Sequence, residues 1–172
     1  MTVTDTLLSA SLWAVSLVMV ASGAMKLTDP SATADTLDRL SLPGGVVTAR
    51  LLGLAELGVG LAVLVVGGRG LAALVGVLYL AFAGIVIAAR SKGLPTCGCF
   101  GSRSAPPRIG HVIVNALSAI VAFIAAAGPD APEPVADGLG DLSGAGAVVV
   151  GVAVLVGAIG LIAFDTSGSS RP

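Results

Sequence analysis

The chain has 172 residues, 55% of them hydrophobic and only 11% charged, with 24 glycines, a formal net charge of −1 and a mean hydropathy of +1.01. Soluble domains carry roughly a quarter charged residues, so this composition excludes an ordinary soluble globule and defines an all-α, polytopic integral membrane protein seated in the lipid bilayer. A near-neutral charge with no basic patch and few aromatic residues excludes a nucleic-acid partner.

Apolar runs of about 20 residues, long enough to cross a hydrocarbon core of roughly 30 Å, occupy 6–27, 46–66, 71–89, 109–127 and 144–164. The first contains Ala21-Ser22-Gly23-Ala24, which resembles a signal cleavage site, but Asp5 and the lack of any Lys or Arg ahead of it predict a spanning helix instead. Asp29-Pro30 and Leu42-Pro43-Gly44-Gly45 bound a first loop, Gly67-Gly68-Arg69-Gly70 predicts a tight hairpin, and Pro106-Pro107 precedes the fourth helix. The stretch Gly128-Pro129-Asp130-Ala131-Pro132-Glu133-Pro134 reads as an extended linker. The expected architecture is a four-helix transmembrane bundle over 1–128, an acidic proline-rich linker over 129–143, and one appended transmembrane helix with a short tail over 144–172. Small residues such as Gly53 with Gly58, and Gly144 with Gly146, predict close helix packing rather than a phosphate-cradling loop.

Lys and Arg alternate between loops: none before the first helix, Lys26, Arg39 and Arg50 in the first loop, Arg69 in the second, Arg90, Lys92, Arg103 and Arg108 in the third, none in the fourth. The fourth loop carries Asp130, Glu133, Asp137 and Asp141 instead. The positive-inside rule then places the protein in the cell (inner) membrane with its amino terminus outside, the first and third loops in the cytoplasm and the carboxyl tail inside.

The chemistry concentrates in that third loop. Cys97-Gly98-Cys99-Phe100-Gly101 holds both cysteines of the chain, one residue apart, with a glycine between them that lets the backbone bend. A pair so placed predicts an exchanging thiol/disulfide or a soft-metal site; in a cytoplasmic loop it points to catalysis, redox sensing or metal binding rather than a structural bridge. Glu56, near the middle of the second run, costs about 2.5–3.5 kcal/mol at such depth unless neutral, paired or hydrated. It reads either as a paired carboxyl that locks helices together or as a proton-relay carboxylate.

At ~1.5 Å per residue, Glu56 is expected ~15 Å below the cytoplasmic face, with Lys26, His111 and Asn115 in the same leaflet. His111 and Asn115, four apart, share a helix face. Lys26, Arg50, His111, Asn115 and the cysteine loop are thus expected to line one polar pocket with Glu56 at its floor and Tyr79 beside it. The plainer alternatives are that Lys26 and Arg50 snorkel to headgroups, that His111 is interfacial, that Asn115 is interhelical glue and that Trp13 and Tyr79 only pack.

Ser22-Gly23-Ala24-Met25-Lys26-Leu27, Ala55-Glu56-Leu57, Cys97-Gly98-Cys99-Phe100-Gly101 and an asparagine early in the fourth helix, in this order, resemble the MauE branch of the DoxX-like membrane proteins. The resemblance covers roughly residues 7 to 127. It implies a four-helix bundle and a part in disulfide formation in a periplasmic dehydrogenase subunit, with thiol oxidation or quinone-linked electron transfer in related proteins. Carried over by position, it implies Cys97 and Cys99 as the redox pair and Lys26, Glu56 and Asn115 as the accompanying polar residues. Val114 stands where a basic side chain is expected, and the fifth helix lies beyond the shared region.

The expected function is thiol–disulfide exchange by Cys97 and Cys99, with Lys92, Arg103 and Arg108 favouring the thiolate. Electrons would pass to a quinone or to a partner thiol or thioredoxin-like protein, and Glu56 or His111 would take the proton. The alternatives are a soft-metal site for an ion such as Cu(I), with Met25 or His111 as a further ligand, and a structural subunit of a membrane complex. The four-sulfur spacing of structural zinc is absent.

Overall fold

A computed structural model describes residues 3–101, 106–140 and 144–166. They form seven helices: α1 (Val3–Thr28), α2 (Ser31–Arg39), α3 (Gly45–Val65), α4 (Arg69–Ser91), α5 (Ile109–Ala127), α6 (Val135–Gly140) and α7 (Gly144–Thr166). Helices α1, α3, α4 and α5 are each long and apolar enough to cross a membrane, and α7 carries a shorter apolar stretch over Val150–Gly160. The protein is therefore an all-helical, multi-pass membrane protein.

The first loop is not a simple loop. Pro30 ends α1, and Asp29 then accepts hydrogen bonds from the Ser31 backbone N–H (3.3 Å) and hydroxyl (2.7 Å), starting α2. The nine-residue α2 is amphipathic, burying Thr33, Ala34, Thr36 and Leu37 while Ser31, Asp35, Asp38 and Arg39 face outward. A search for 20-residue apolar runs passes over so short and polar a helix. The linker likewise holds a further short helix, α6, after the irregular Gly128–Pro134 stretch.

The bundle is built from two pairs, α1 with α3 and α4 with α5, around a core of Leu12, Val15, Met19, Val63, Val75 and Phe82. In the first pair the backbones nearly touch. A Cβ on Gly23 would stand 2.6 Å from the Gly53 carbonyl oxygen, and one on Gly60 would stand 2.9 Å from that of Ser16. Small residues drive this approach because no hydrophobic gain separates a helix face from lipid. The expected partner Gly58 takes no part, for nothing lies within 4 Å of the position its Cβ would take. The packing of Gly144 lies outside the described residues. Large side chains such as Leu51, Leu54, Leu80, Ile113, Leu117 and Ile120 remain exposed, as a lipid solvent requires.

Gly53 lies level with Lys26, so α3 extends beyond the Lys26 level by the eight residues from Gly45, about 12 Å of helix. At the opposite end the chain is tied across the bundle. The Arg69 guanidinium donates to the Gly128 carbonyl (3.0 Å) and to that of Pro129, Gly68 N–H donates to Pro132 O (2.7 Å), and Trp13 Nε1–H donates to Glu133 O (3.1 Å). The expected hairpin glycines Gly67 and Gly68 have φ of 69° and 98° there, conformations that suit glycine.

Candidate functional site: a buried lysine–glutamate pair beneath two thiols

The α4–α5 loop folds back onto the α1–α2 junction. Gly98 (φ 68°) and Gly101 (φ 54°) turn the chain, and added Cβ atoms would stand 2.9 Å from Thr33 Cα and 2.5 Å from Asp29 O. Thr33 of α2 donates to the Gly98 carbonyl at 2.6 Å, and Lys92, at the end of α4, donates to Arg39 O at 3.1 Å. Phe100 is buried in a cluster with Val18 of α1 and Ala158 of α7. Helix α2 is thus the platform that gives the cysteine loop its shape.

Beneath the loop, Lys26 is 1% exposed and Glu56 is fully buried, and Lys26 Nζ lies 2.9 Å from Glu56 Oε2. Two charges at this depth persist only when paired and hydrogen-bonded. Lys26 uses all three of its donors: to Glu56 Oε2, to Ser22 Oγ at 2.6 Å, and to the Cys99 carbonyl. The Ser22 hydroxyl stands 2.7 Å from Glu56 Oε2 and 2.6 Å from the Cys99 carbonyl oxygen, with one proton to give to either. The Phe82 ring, 5.6 Å from Nζ, adds a cation–π contact. Glu56 Oε1 is buried with no hydrogen-bond partner.

The two cysteines are thiols in different surroundings. Cys97 is 4% exposed, whereas Cys99 is half-buried. Hydrogen bonding from Cys99 pulls the Cys97 thiol down from 9.0 to about 5; burial opposes this, and His111, by hydrogen bonding and charge, assists it. His111 is itself 1% exposed, and the Asn115 side-chain amide donates to its carbonyl oxygen at 2.7 Å.

Most of the expected pocket therefore converges. Cys97, Cys99 and Lys26 border one cavity of about 10 Å³, while Lys26, Cys99, Asn115, Ser22 and Tyr79 border another of about 20 Å³. Tyr79 is held by its hydroxyl, which donates to Val15 O at 2.7 Å. Lys26 does not snorkel. Arg50 does not join, being exposed on the protruding first turns of α3, and Lys92 and Arg108 are also exposed rather than poised on the thiol. Arg103 lies outside the described residues. Cavities of this size hold about one water each. Among the described residues, no group of three or more His, Cys, Asp and Glu side chains is arranged to hold a metal ion.

Sequence reasoning overlooked Ser22 and Thr33. The i, i+4 spacing of Ser22 and Lys26 is a usable signal for the first, whereas Thr33 becomes visible only once α2 is known.

Fold and site together define a multi-pass helical membrane protein with two thiols held over a buried ion pair. The family described as methylamine utilisation protein MauE matches residues 4–128, and the chain belongs to it. That match ends where α5 ends, leaving α6 and α7 beyond it. No curated protein and no solved structure matches the chain.

Proposed function

We propose that this protein is a membrane thiol–disulfide oxidoreductase that exchanges disulfides with a partner thiol or thioredoxin-like protein and so assists the maturation of another protein. The observation that carries this reading is the pairing of a buried, acid-shifted Cys97 with a half-buried Cys99 in a loop that four side-chain bonds fasten to the bundle. A low-pKa thiol is ionised at neutral pH and is both a ready nucleophile and a good leaving group. Lys26, Glu56 and Ser22 position the loop by its Cys99 carbonyl, and the unbonded Glu56 Oε1 is a place for a proton released during exchange. Membership in the MauE family agrees with a role in protein maturation, while methylamine itself finds no matching feature among the described side chains.

The inner membrane, the cytoplasmic orientation of the loop by charge bias, and the division into a bundle over 1–128, a linker and an appended helix belong to the same proposal. The test is exchange by the purified protein in detergent: with oxidised glutathione to re-form its disulfide, wild type oxidises a fluorescent dithiol peptide faster than glutathione alone does, and Cys97→Ser and Cys99→Ser each abolish that acceleration. Acceleration that survives both substitutions overturns the reading. Orientation is read by an impermeant maleimide on intact cells, where labelling of reduced protein only after permeabilisation is expected.

A further inference from the structure

The loop presents its two sulfurs unequally. Cys97 lies at the base, 4% exposed, beside the His111 side chain of α5, which is 1% exposed. Cys99 is half-buried, and its backbone is fixed from below because Lys26 and Ser22 reach its carbonyl. Of the two cysteines, Cys99 is therefore the more open to a partner polypeptide.

Resting on the exchange reading above, the geometry points to a fixed division of labour: Cys99 alone forms the mixed disulfide with a partner, Cys97 acts only within the molecule, and His111 is the positioning residue that holds Cys97 as a thiolate. In the oxidising direction a client thiolate attacks Cys99 Sγ, the Cys97–Cys99 bond breaks, and its electron pair leaves on Cys97. The client's second thiolate then attacks its own sulfur in the mixed disulfide and expels Cys99 as thiolate. The client dithiol has lost two electrons and the site has gained them. A disulfide-bearing partner protein restores the site by the reverse route: the Cys99 thiolate attacks the partner's disulfide, the Cys97 thiolate attacks Cys99 Sγ, and the partner leaves as a dithiol.

Direction follows from the leaving group. Attack falls on the more accessible sulfur, so a client thiolate meets the half-buried Cys99 and the buried Cys97, beside His111, is the group expelled. The substrate class is accordingly a protein dithiol to be oxidised. The lowered Cys97 value of about 5 supports the assignment, with His111 among its causes.

The test uses the full-length protein in detergent, oxidised with diamide, challenged with glutathione at neutral pH, quenched with acid and mapped by peptide mass spectrometry. Glutathione is expected on Cys99 over Cys97 by about tenfold or more, because accessibility selects the sulfur attacked. Adducts on Cys97, or on both equally, overturn the division of labour while leaving exchange intact; failure to form either the internal disulfide or any adduct overturns the exchange reading itself. His111 is tested by the ultraviolet absorbance of the thiolate in reduced protein. His111→Ala should move the lower titration midpoint upward, and His111→Gln, which still donates a hydrogen bond, should restore part of the shift. A midpoint unchanged in both, in protein of wild-type helicity, removes His111 from the role.

Discussion

Lys26 and Glu56 each need the other. Replacing Lys26 by Met leaves a buried carboxylate without its counterion, an arrangement that costs about 3–5 kcal/mol, whereas replacing both by apolar residues removes the desolvation penalty as well. Lys26→Met is therefore expected to lower the midpoint of denaturation in detergent sharply, and the double substitution with Glu56→Met to recover most of the loss. The thiol gives a pH signature of opposite character to a simple surface group. Its folded value of about 5 lies below the ordinary thiol value of 9.0, so the stabilisation it contributes is complete above pH 9 and disappears as pH falls through 5. Stability of the reduced protein should rise from pH 5 to pH 9, and Cys97→Ser should flatten that rise. At this scale much was legible: Glu56 stood out because a carboxylate in an apolar run demands a partner, and Lys26, His111 and Asn115 fell in the same leaflet by counting residues. Counting did not supply the partner's reach. The protruding turns of α3 bring Glu56 to within one helical turn of the Lys26 level, while the same turns carry Arg50 out of the site.

The element that matters most to the site's shape is α2, which in the sequence is eight polar and small residues and one leucine between two proline-marked breaks. Its buried Thr33 hydroxyl closes the cysteine turn through the Gly98 carbonyl. Thr33→Val keeps the shape but leaves that carbonyl without its donor, a loss of about 1–3 kcal/mol where the acceptor stays buried. Alkylation of Cys97 by iodoacetamide should accelerate accordingly, while helicity is retained. Gly101→Ala acts on the same turn from the other side, since its positive φ and the Asp29 carbonyl leave no room for a methyl group. The four long helices were legible because length and hydropathy alone determine a span; α2 and α6 were not, because a short amphipathic helix is decided by the surface on which it lies.

For the molecule as a whole, α7 is an addition that shares a buried cluster with the site. It packs along α1, and its Ala158 lies in the same buried cluster as Val18 of α1 and Phe100 of the cysteine loop. Truncation after Gly140 should preserve the helicity of α1 through α5, as expected of a bundle that matches the family on its own, and should raise the reactivity of Cys99, which packs with Phe100. A truncated chain that fails to fold would make α7 part of the bundle rather than an appendage. The strap at the other end carries a mechanical consequence. With Arg69 and Gly68 lacing the α3–α4 turn, and Trp13 lacing α1, to the segment that leaves α5, the molecule resembles a clothes-peg sprung at one membrane face. Its jaws are the ends that hold the thiols, so amide hydrogen exchange is expected to differ between oxidised and reduced protein at those ends and to stay the same along the strap.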